Sequence, residues 1–194
     1  MNKINRGCIA DVETKVLCRK AQEEFESFCE INVVPYSQLF GGKIIAALDR
    51  QHPRDLFDIK FLIDEKGIND AIKPGFMLCL LSSNRPILEL LNPIWKDQRQ
   101  AFENQFDGMS LEPFTYQDFE ETRETMILQV RSLLSDMDKK FLLNFKRLDP
   151  NWEVFDFEDF PAVKWKMKNL RLFKEKNEAG YNLTVKKLED HFCL

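Results

Sequence analysis

The sequence predicts a mainly α protein of the α+β class, with one or two short strands near its N-terminus. Along most of the chain, apolar residues recur at steps of three and four, which is the spacing of one helix face. Only the segment EINVVP, Glu30 to Pro35, has the β-branched composition of a short strand. The 194 residues, 44% of them apolar, are enough for one domain with a substantial core, with or without a small appendage.

The N-terminal elements are predicted as a tail, a helix and a strand. The first twelve residues are polar and show no period, so we expect an extended tail or a loose edge strand. From Thr14 to Phe28 the apolar residues follow helical steps, which predicts a helix. The strand at Glu30 to Pro35 follows and ends at its proline.

Two consecutive helices are predicted next, over Ser37 to about Arg50 and over Pro53 to about Glu65. Pro53 suits a first helical turn, where its missing N–H has no helical partner. His52 precedes it and is expected to be a turn residue that caps the second helix. A histidine there is also compatible with a general base, which we consider the weaker interpretation.

Helix dominates the prediction for the remainder of the chain. Pro74 and Gly75 are expected to break the segment INDAIKPGFMLCLLSS. The pairs Thr115 with Asp118 and Ser135 with Asp138 have the spacing of capping boxes at helix starts. Further helices are predicted within RPILELLNP and IWKDQRQAFENQF, over Ala162 to about Lys176, and over Thr184 to Phe192.

Composition excludes several classes of protein. A net charge of -4 gives no whole-chain case for nucleic-acid binding, so any such site must be a local patch. The chain has no apolar run near the ~20 residues of a membrane span, and no signal-peptide core follows MNKINRGC. The two histidines lie far apart, which argues against zinc. An odd number of cysteines without CxxC spacing predicts reduced, buried thiols in a cytoplasmic protein: Cys8, Cys18, Cys29, Cys79 and Cys193. Of these, Cys193 at the end of the chain is expected to be exposed instead.

The segment GGKIIAALDRQHPRDLFDIK, Gly41 to Lys60, carries an unusual density of charge among apolar residues. Two lysines, two arginines and three aspartates occur within its twenty residues. A glycine in a helix interior costs about 1 kcal/mol relative to alanine. The pair Gly41-Gly42 therefore indicates that a backbone or a ligand passes close to this helix.

The charges of this segment fall at helical spacings. Lys43 and Arg50 are seven residues apart and share a helix face. In the next helix Arg54 and Asp58 are four apart and able to pair, and Asp55 lies in the first turn, where the helix dipole favours a carboxylate.

Two interpretations of the cluster remain open on residue types alone. In the first, the charges form a salt-bridge network that ties two antiparallel helices together. In the second, Lys43 and an arginine hold a phosphate while Asp55 orients them or the acceptor hydroxyl. A cationic clamp of that kind is what phosphoryl-transfer sites use to stabilise developing charge.

The segment VVPYSQLFGGKIIAALDRQHPRDLFDIKFL resembles the hallmark segment of the AbiEii/AbiGii toxins, the nucleotidyltransferase-like toxins of AbiE abortive-infection systems. Weaker similarity extends through DPNWEVFDFEDFPAVKWKMKNL. The resemblance implies that residues 1–65 are the C-terminal part, or remnant, of a nucleotidyltransferase α/β domain and that residues 66–194 form a helical domain. It also implies NTP-dependent nucleotide transfer in bacterial phage defence, with GTP or CTP as donor, tRNA as acceptor and a winged-helix antitoxin as genetic partner.

The same resemblance implies catalytic or substrate-binding roles for five residues of this segment. Lys43 and Asp55 match the motif residues expected to be catalytic. Arg50, Arg54 and Asp58 match the charged positions around them, expected to bind substrate phosphates.

The resemblance also shows where this chain departs from the family. Such enzymes carry a Gly-Gly/Ser turn followed by a DxD pair that binds Mg²⁺, and this chain has no such segment. The nearest pair, Asp11 and Glu13, lacks the preceding glycine turn. We therefore expect an N-terminally truncated toxin that is inactive or impaired alone and holds no metal itself.

A basic strip is predicted on the helix that follows Ala162. Lys164, Lys168 and Arg171 fall on one face, which is ordinary for an amphipathic surface helix but would also suit salt-dependent contacts with RNA phosphates. The alternative to a toxin is a non-enzymatic helical binding or scaffold module whose charge cluster is structural.

Overall fold

The computed structural model describes residues 7–194, which form one antiparallel strand pair and ten helices. This confirms the mainly α prediction with a small β part. The elements are β1 (Glu13–Val16), α1 (Arg19–Phe25), β2 (Glu30–Val33), α2 (Tyr36–Arg50), α3 (Pro53–Glu65), α4 (Lys73–Ser82), α5 (Ile87–Leu91), α6 (Arg99–Gln105), α7 (Tyr116–Leu133), α8 (Asp136–Lys146), α9 (Pro161–Lys176) and α10 (Glu178–Phe192). The division into domains at residue 65 stays a prediction.

The first predicted helix is wrong in its N-terminal part. Strand β1 pairs with β2 so that Glu13 lies opposite Val33 and Val16 opposite Glu30. The hydroxyl of Thr14 donates to the side-chain oxygen of Asn32 at 3.0 Å. Cross-strand pairing has therefore overridden a locally helical pattern, as β-branched residues allow. The expected N-terminal tail lies partly outside the described residues, since the structure describes none of residues 1–6.

The β1–β2 hairpin and α1 have almost no share in the core. Every residue of β1 is exposed, and α1 contains no buried residue. A two-stranded sheet is marginally stable in water without a hydrophobic face to bury. The large apolar side chains of this region remain in solvent, with Phe25 71% and Ile31 61% exposed.

We therefore expect the backbone amides of β1 and β2 to exchange with solvent far faster than those of α4. Local opening of the hairpin exposes little apolar surface, whereas opening α4 disrupts the core. Hydrogen exchange followed by mass spectrometry on the intact chain measures both regions in one sample. Equal protection of the hairpin and α4 would contradict the prediction.

Helix α4 is the centre of the core. Every residue from Gly75 to Ser82 is buried, which is typical of a helix that is apolar on all sides. The expected break at Pro74 is wrong, because Pro74 lies in the first turn of α4, where proline is tolerated.

Helix α2 packs on α4 through a pair of glycines that face each other. A Cβ built on Gly41 would lie 2.3 Å from the backbone nitrogen of Phe76, and one built on Gly75 would lie 2.0 Å from the carbonyl oxygen of Ser37. The backbone that passes close to Gly41 is therefore that of α4. By contrast, a Cβ at Gly42 would meet only the sulfur of Cys79 at 3.7 Å.

Capping side chains set the starts of several C-terminal helices. Thr115 with Asp118, and Ser135 with Asp138, form the reciprocal hydrogen bonds of capping boxes, as predicted. The last helix begins at Glu178 rather than at Thr184, because the side chain of Asn177 accepts a hydrogen bond from the backbone of Gly180.

The cysteines correct a further expectation. Cys8, Cys18 and Cys29 are exposed rather than buried, whereas Cys79 is buried and Cys193 exposed, as expected. All five are reduced. Among residues 7–194, no helix combines the length and apolar character that crossing a membrane requires.

Candidate functional site

Helices α2 and α3 form an antiparallel pair because the turn between them is strongly specified. Gln51 ends α2 in the left-handed conformation at φ 56°. The ring Nδ1 of His52 accepts a hydrogen bond from the backbone N–H of Arg54 at 3.2 Å, and Pro53 occupies the first position of α3. The predicted capping role of His52 is thereby confirmed.

Two ion pairs join the facing sides of α2 and α3. The ammonium of Lys43 donates to the carboxylate of Asp58. One turn earlier on α3, Asp55 accepts two hydrogen bonds from the guanidinium of Arg50, at 3.0 Å from Nε and 2.5 Å from Nη2. The parallel two-point contact makes the Arg50–Asp55 pair the more geometrically defined of the two.

Arg54 leaves this cluster. Its guanidinium donates to the backbone carbonyl of Gln105 at 3.0 and 3.3 Å and thus connects α3 to the C-terminal end of α6. The expected pairing of Arg54 with Asp58 is wrong, because Lys43 occupies that carboxylate. Four of the five predicted residues therefore meet where α2 faces α3: Lys43, Arg50, Asp55 and Asp58 form what we call the α2–α3 seam. Lys43 and Asp55 do not bond to each other, because each is paired with a different residue.

A cavity of about 280 Å³ opens beside the Lys43–Asp58 pair. The side chain of Lys43 is 37% exposed and lines this cavity. A second cation, Lys66, lies with its Nζ 4.9 Å from the centre of the Tyr36 ring. The remaining lining residues are Phe40, Phe61, Leu62 and Glu65.

Tyr36 and Phe40 form an aromatic wall of this cavity. They were not identified as site residues from the sequence, although their spacing indicates a shared helix face. Tyr36, Phe40 and Lys43 follow one another at steps of four and three and so share a helix face. The hydroxyl of Tyr36 is buried and has no hydrogen-bond partner among the described residues. An unpaired buried hydroxyl is costly, and a polar ligand in the cavity would remove that cost if it reached the group.

The site combines cations and aromatic rings in an open cavity, which suits a ligand with phosphates and a flat ring. Each cation of the α2–α3 seam is already neutralised by one carboxylate. A phosphate that binds Lys43 must therefore displace Asp58 or share the ammonium with it.

The Mg²⁺ of the nucleotidyltransferase resemblance does not fit these residues. Across residues 7–194, no three side chains of histidine, cysteine, aspartate or glutamate are grouped so as to hold a metal ion. Asp55 and Asp58 both face cations, which oppose the approach of a further positive charge. We therefore derive no chemical step through a metal at this site.

The basic strip of α9 lies on the surface. Lys164, Lys168 and Arg171 are all exposed. Lys164 pairs with Asp159 at 2.8 Å, and Lys168 lies 5.7 Å from the centre of the Trp165 ring. The contacts of the strip with RNA stay a prediction.

Comparison with known proteins gives one clear result. The family model described as "Nucleotidyl transferase AbiEii toxin, Type IV TA system" matches residues 3–169, which include α2, α3 and their ion pairs. Searches of curated proteins and of solved structures returned no match.

Proposed function

Because the chain belongs to the AbiEii nucleotidyl transferase toxin family of Type IV toxin–antitoxin systems, we propose that its α2–α3 seam binds a nucleoside triphosphate for transfer to RNA. GTP or CTP is the proposed donor, and tRNA the proposed acceptor. We place the protein in the bacterial cytoplasm, with a winged-helix antitoxin as its genetic partner in phage defence.

The open cavity beside Lys43 is the observation that carries this proposal. Lys43 holds the donor phosphates, and the aromatic wall of Tyr36 and Phe40 receives the base. Lys66 supplies the second cation of this cavity. Asp55, which Arg50 holds through the two-point contact outside the cavity lining, is the proposed group that orients the acceptor hydroxyl. Asp58 holds the ammonium of Lys43 in place.

The described residues supply the phosphate-holding part of the family's activity rather than the metal-holding part. We therefore propose that this polypeptide alone binds nucleotide and transfers it poorly. Lys164, Lys168 and Arg171 are the proposed contacts with the RNA backbone, which would weaken as salt is raised.

Isothermal titration of the purified chain with GTP, CTP, ATP and UTP tests nucleotide binding directly. We expect dissociation constants of about 10 μM to 1 mM for GTP or CTP, which corresponds to a few charge-assisted contacts. No heat change with any of the four nucleotides would overturn the proposal. A parallel incubation with labelled nucleotide and tRNA tests transfer, and efficient labelling would contradict the proposed dependence on other residues for the metal.

A helical binding or scaffold module remains the second candidate. The observation that favours it is that Lys43 and Arg50 are each paired with a carboxylate. The two candidates differ in whether breaking an ion pair changes nucleotide affinity or only stability.

A further inference from the structure

A second cavity, of about 350 Å³, lies where the segment after α4 meets α8, α9 and α10. None of its lining residues belongs to the α2–α3 seam or to the cavity beside it. Its volume falls within the range of small-molecule sites, about 300 to 1,000 Å³. Apolar side chains dominate the wall, including Ile87, Leu170, Trp165 and Phe173.

Two lysines contribute positive charge to this apolar cavity. Lys166 donates through Nζ to the carbonyl oxygens of Ser83 at 2.5 Å and Arg85 at 2.7 Å. Lys146 lies with its Nζ 5.9 Å from the centre of the Phe173 ring and 5.7 Å from that of Tyr181. Within residues 7–194, neither ammonium has a carboxylate partner in an ion pair.

The surroundings oppose the charge of both lysines. Burial and, secondarily, the charge of Lys146 lower the pKa of Lys166 to about 8. Burial also lowers the pKa of Lys146. Two cations in a largely apolar wall without an opposite charge are electrostatically unfavourable, and a bound anion would remove that penalty.

The aromatic residues of the cavity wall indicate a second property of the ligand, which is an aromatic ring. Trp165 is 54% exposed, and Phe173 lies on the same helix. An aromatic ring of a ligand packs favourably against such side chains. The site therefore combines a place for a ring with a place for a negative group.

We propose that this cavity binds a small aromatic anion, with its ring against Trp165 and Phe173 and its negative group at Lys146 and Lys166. Phosphate and carboxylate share the required charge, and the experiment distinguishes them. The proposal does not depend on nucleotide binding at the α2–α3 seam, because the two sites have no lining residue in common.

Tryptophan fluorescence of the full chain provides the test, since Trp165 lies in the wall of the cavity. Phenyl phosphate, benzoate and uncharged benzyl alcohol are the three probes. We expect one of the two anions to bind at least about tenfold more tightly than benzyl alcohol, because only an anion gains the charge-assisted contacts. Tighter binding of phenyl phosphate than of benzoate identifies a phosphate ligand, and the reverse order identifies a carboxylate ligand.

Lysine variants then locate the negative group. Lys166→Met and Lys146→Met keep a long apolar side chain and remove the charge, and each is expected to weaken binding of the anion about tenfold. Lys176→Met is the matched control, because it removes an exposed lysine from the same helix outside the cavity. It should leave binding within about twofold, as expected for a screened surface charge.

Two results would overturn the proposal. The first is no fluorescence response to either anion at about 10 mM, because this would mean an affinity weaker than millimolar. The second is anion binding that stays unchanged in both Lys166→Met and Lys146→Met. Thermal unfolding followed by circular dichroism checks that each variant is folded. If Lys166→Met unfolds because its two carbonyl contacts are lost, Lys146→Met still decides the question. The ammonium of Lys146 donates no hydrogen bond to another described residue, so its removal perturbs the fold less.

Discussion

Gly41→Ala is expected to destabilise the protein by about 3 kcal/mol, whereas Gly42→Ala, at the next residue, is expected to stabilise it by about 0.5 to 1 kcal/mol. A methyl group on Gly41 would lie 2.3 Å from a backbone nitrogen of α4, which cannot move without separating the two helices. At Gly42 the same methyl group makes an ordinary contact, so only the higher helix propensity of alanine remains.

Urea unfolding of the two variants and the wild type measures this difference. The neighbouring glycines are matched in helix and sequence position and differ in what lies over them. Gly75→Ala adds a reciprocal check, because its Cβ would lie 2.0 Å from the carbonyl oxygen of Ser37, and it should also destabilise strongly. Similar free energies of unfolding for Gly41→Ala and Gly42→Ala would show that α2 and α4 are not in close backbone contact.

Lys43→Met is expected to weaken nucleotide binding about 10- to 100-fold, as expected for the loss of a charge-assisted contact to phosphate. Asp58→Asn is expected to strengthen binding about two- to fivefold, because the ammonium of Lys43 no longer has to leave a carboxylate. Both variants should change the free energy of unfolding by less than about 1 kcal/mol, the usual worth of an exposed ion pair. Isothermal titration and urea unfolding measure the two effects separately.

The Lys60–Asp64 pair of α3 provides a control for these variants. It is a partly exposed i,i+4 pair with its charged atoms 3.1 Å apart, and neither residue lines the cavity beside Lys43. Lys60→Met should therefore leave nucleotide affinity unchanged. If Lys43→Met and Asp58→Asn alter stability to the same extent and leave affinity unchanged, the charge cluster is structural and the scaffold module is the better account.

Local signals predicted much of the helical architecture. Capping side chains at Thr115 and Ser135 act within one turn of the helix that they begin, so their effect is visible in a few residues. The turn at His52-Pro53 is equally local. Strand β1 could not be found in this way, because its conformation depends on a partner strand seventeen residues further along the chain.

The candidate site was predicted in part. The spacing of Lys43 and Arg50 placed both cations on one face of α2, and the structure confirms that both face α3. Helical spacing predicted the wrong partner for Asp58. Its carboxylate pairs with Lys43 of the neighbouring helix, and Arg54 bonds to the carbonyl of Gln105 instead. Lys146 and Lys166 gave no signal, since they are twenty residues apart in sequence and meet only where α8 and α9 approach.

The sequence by itself determined which segments are helical, where several of them begin, and which family the charged segment resembles, because these properties depend on residues within a few turns of one another. The tertiary structure decided which charges pair, why Gly41 must be glycine, and where cavities open between helices. These features depend on the distance between atoms that are remote in the chain, and that distance is set by how the helices pack around α4.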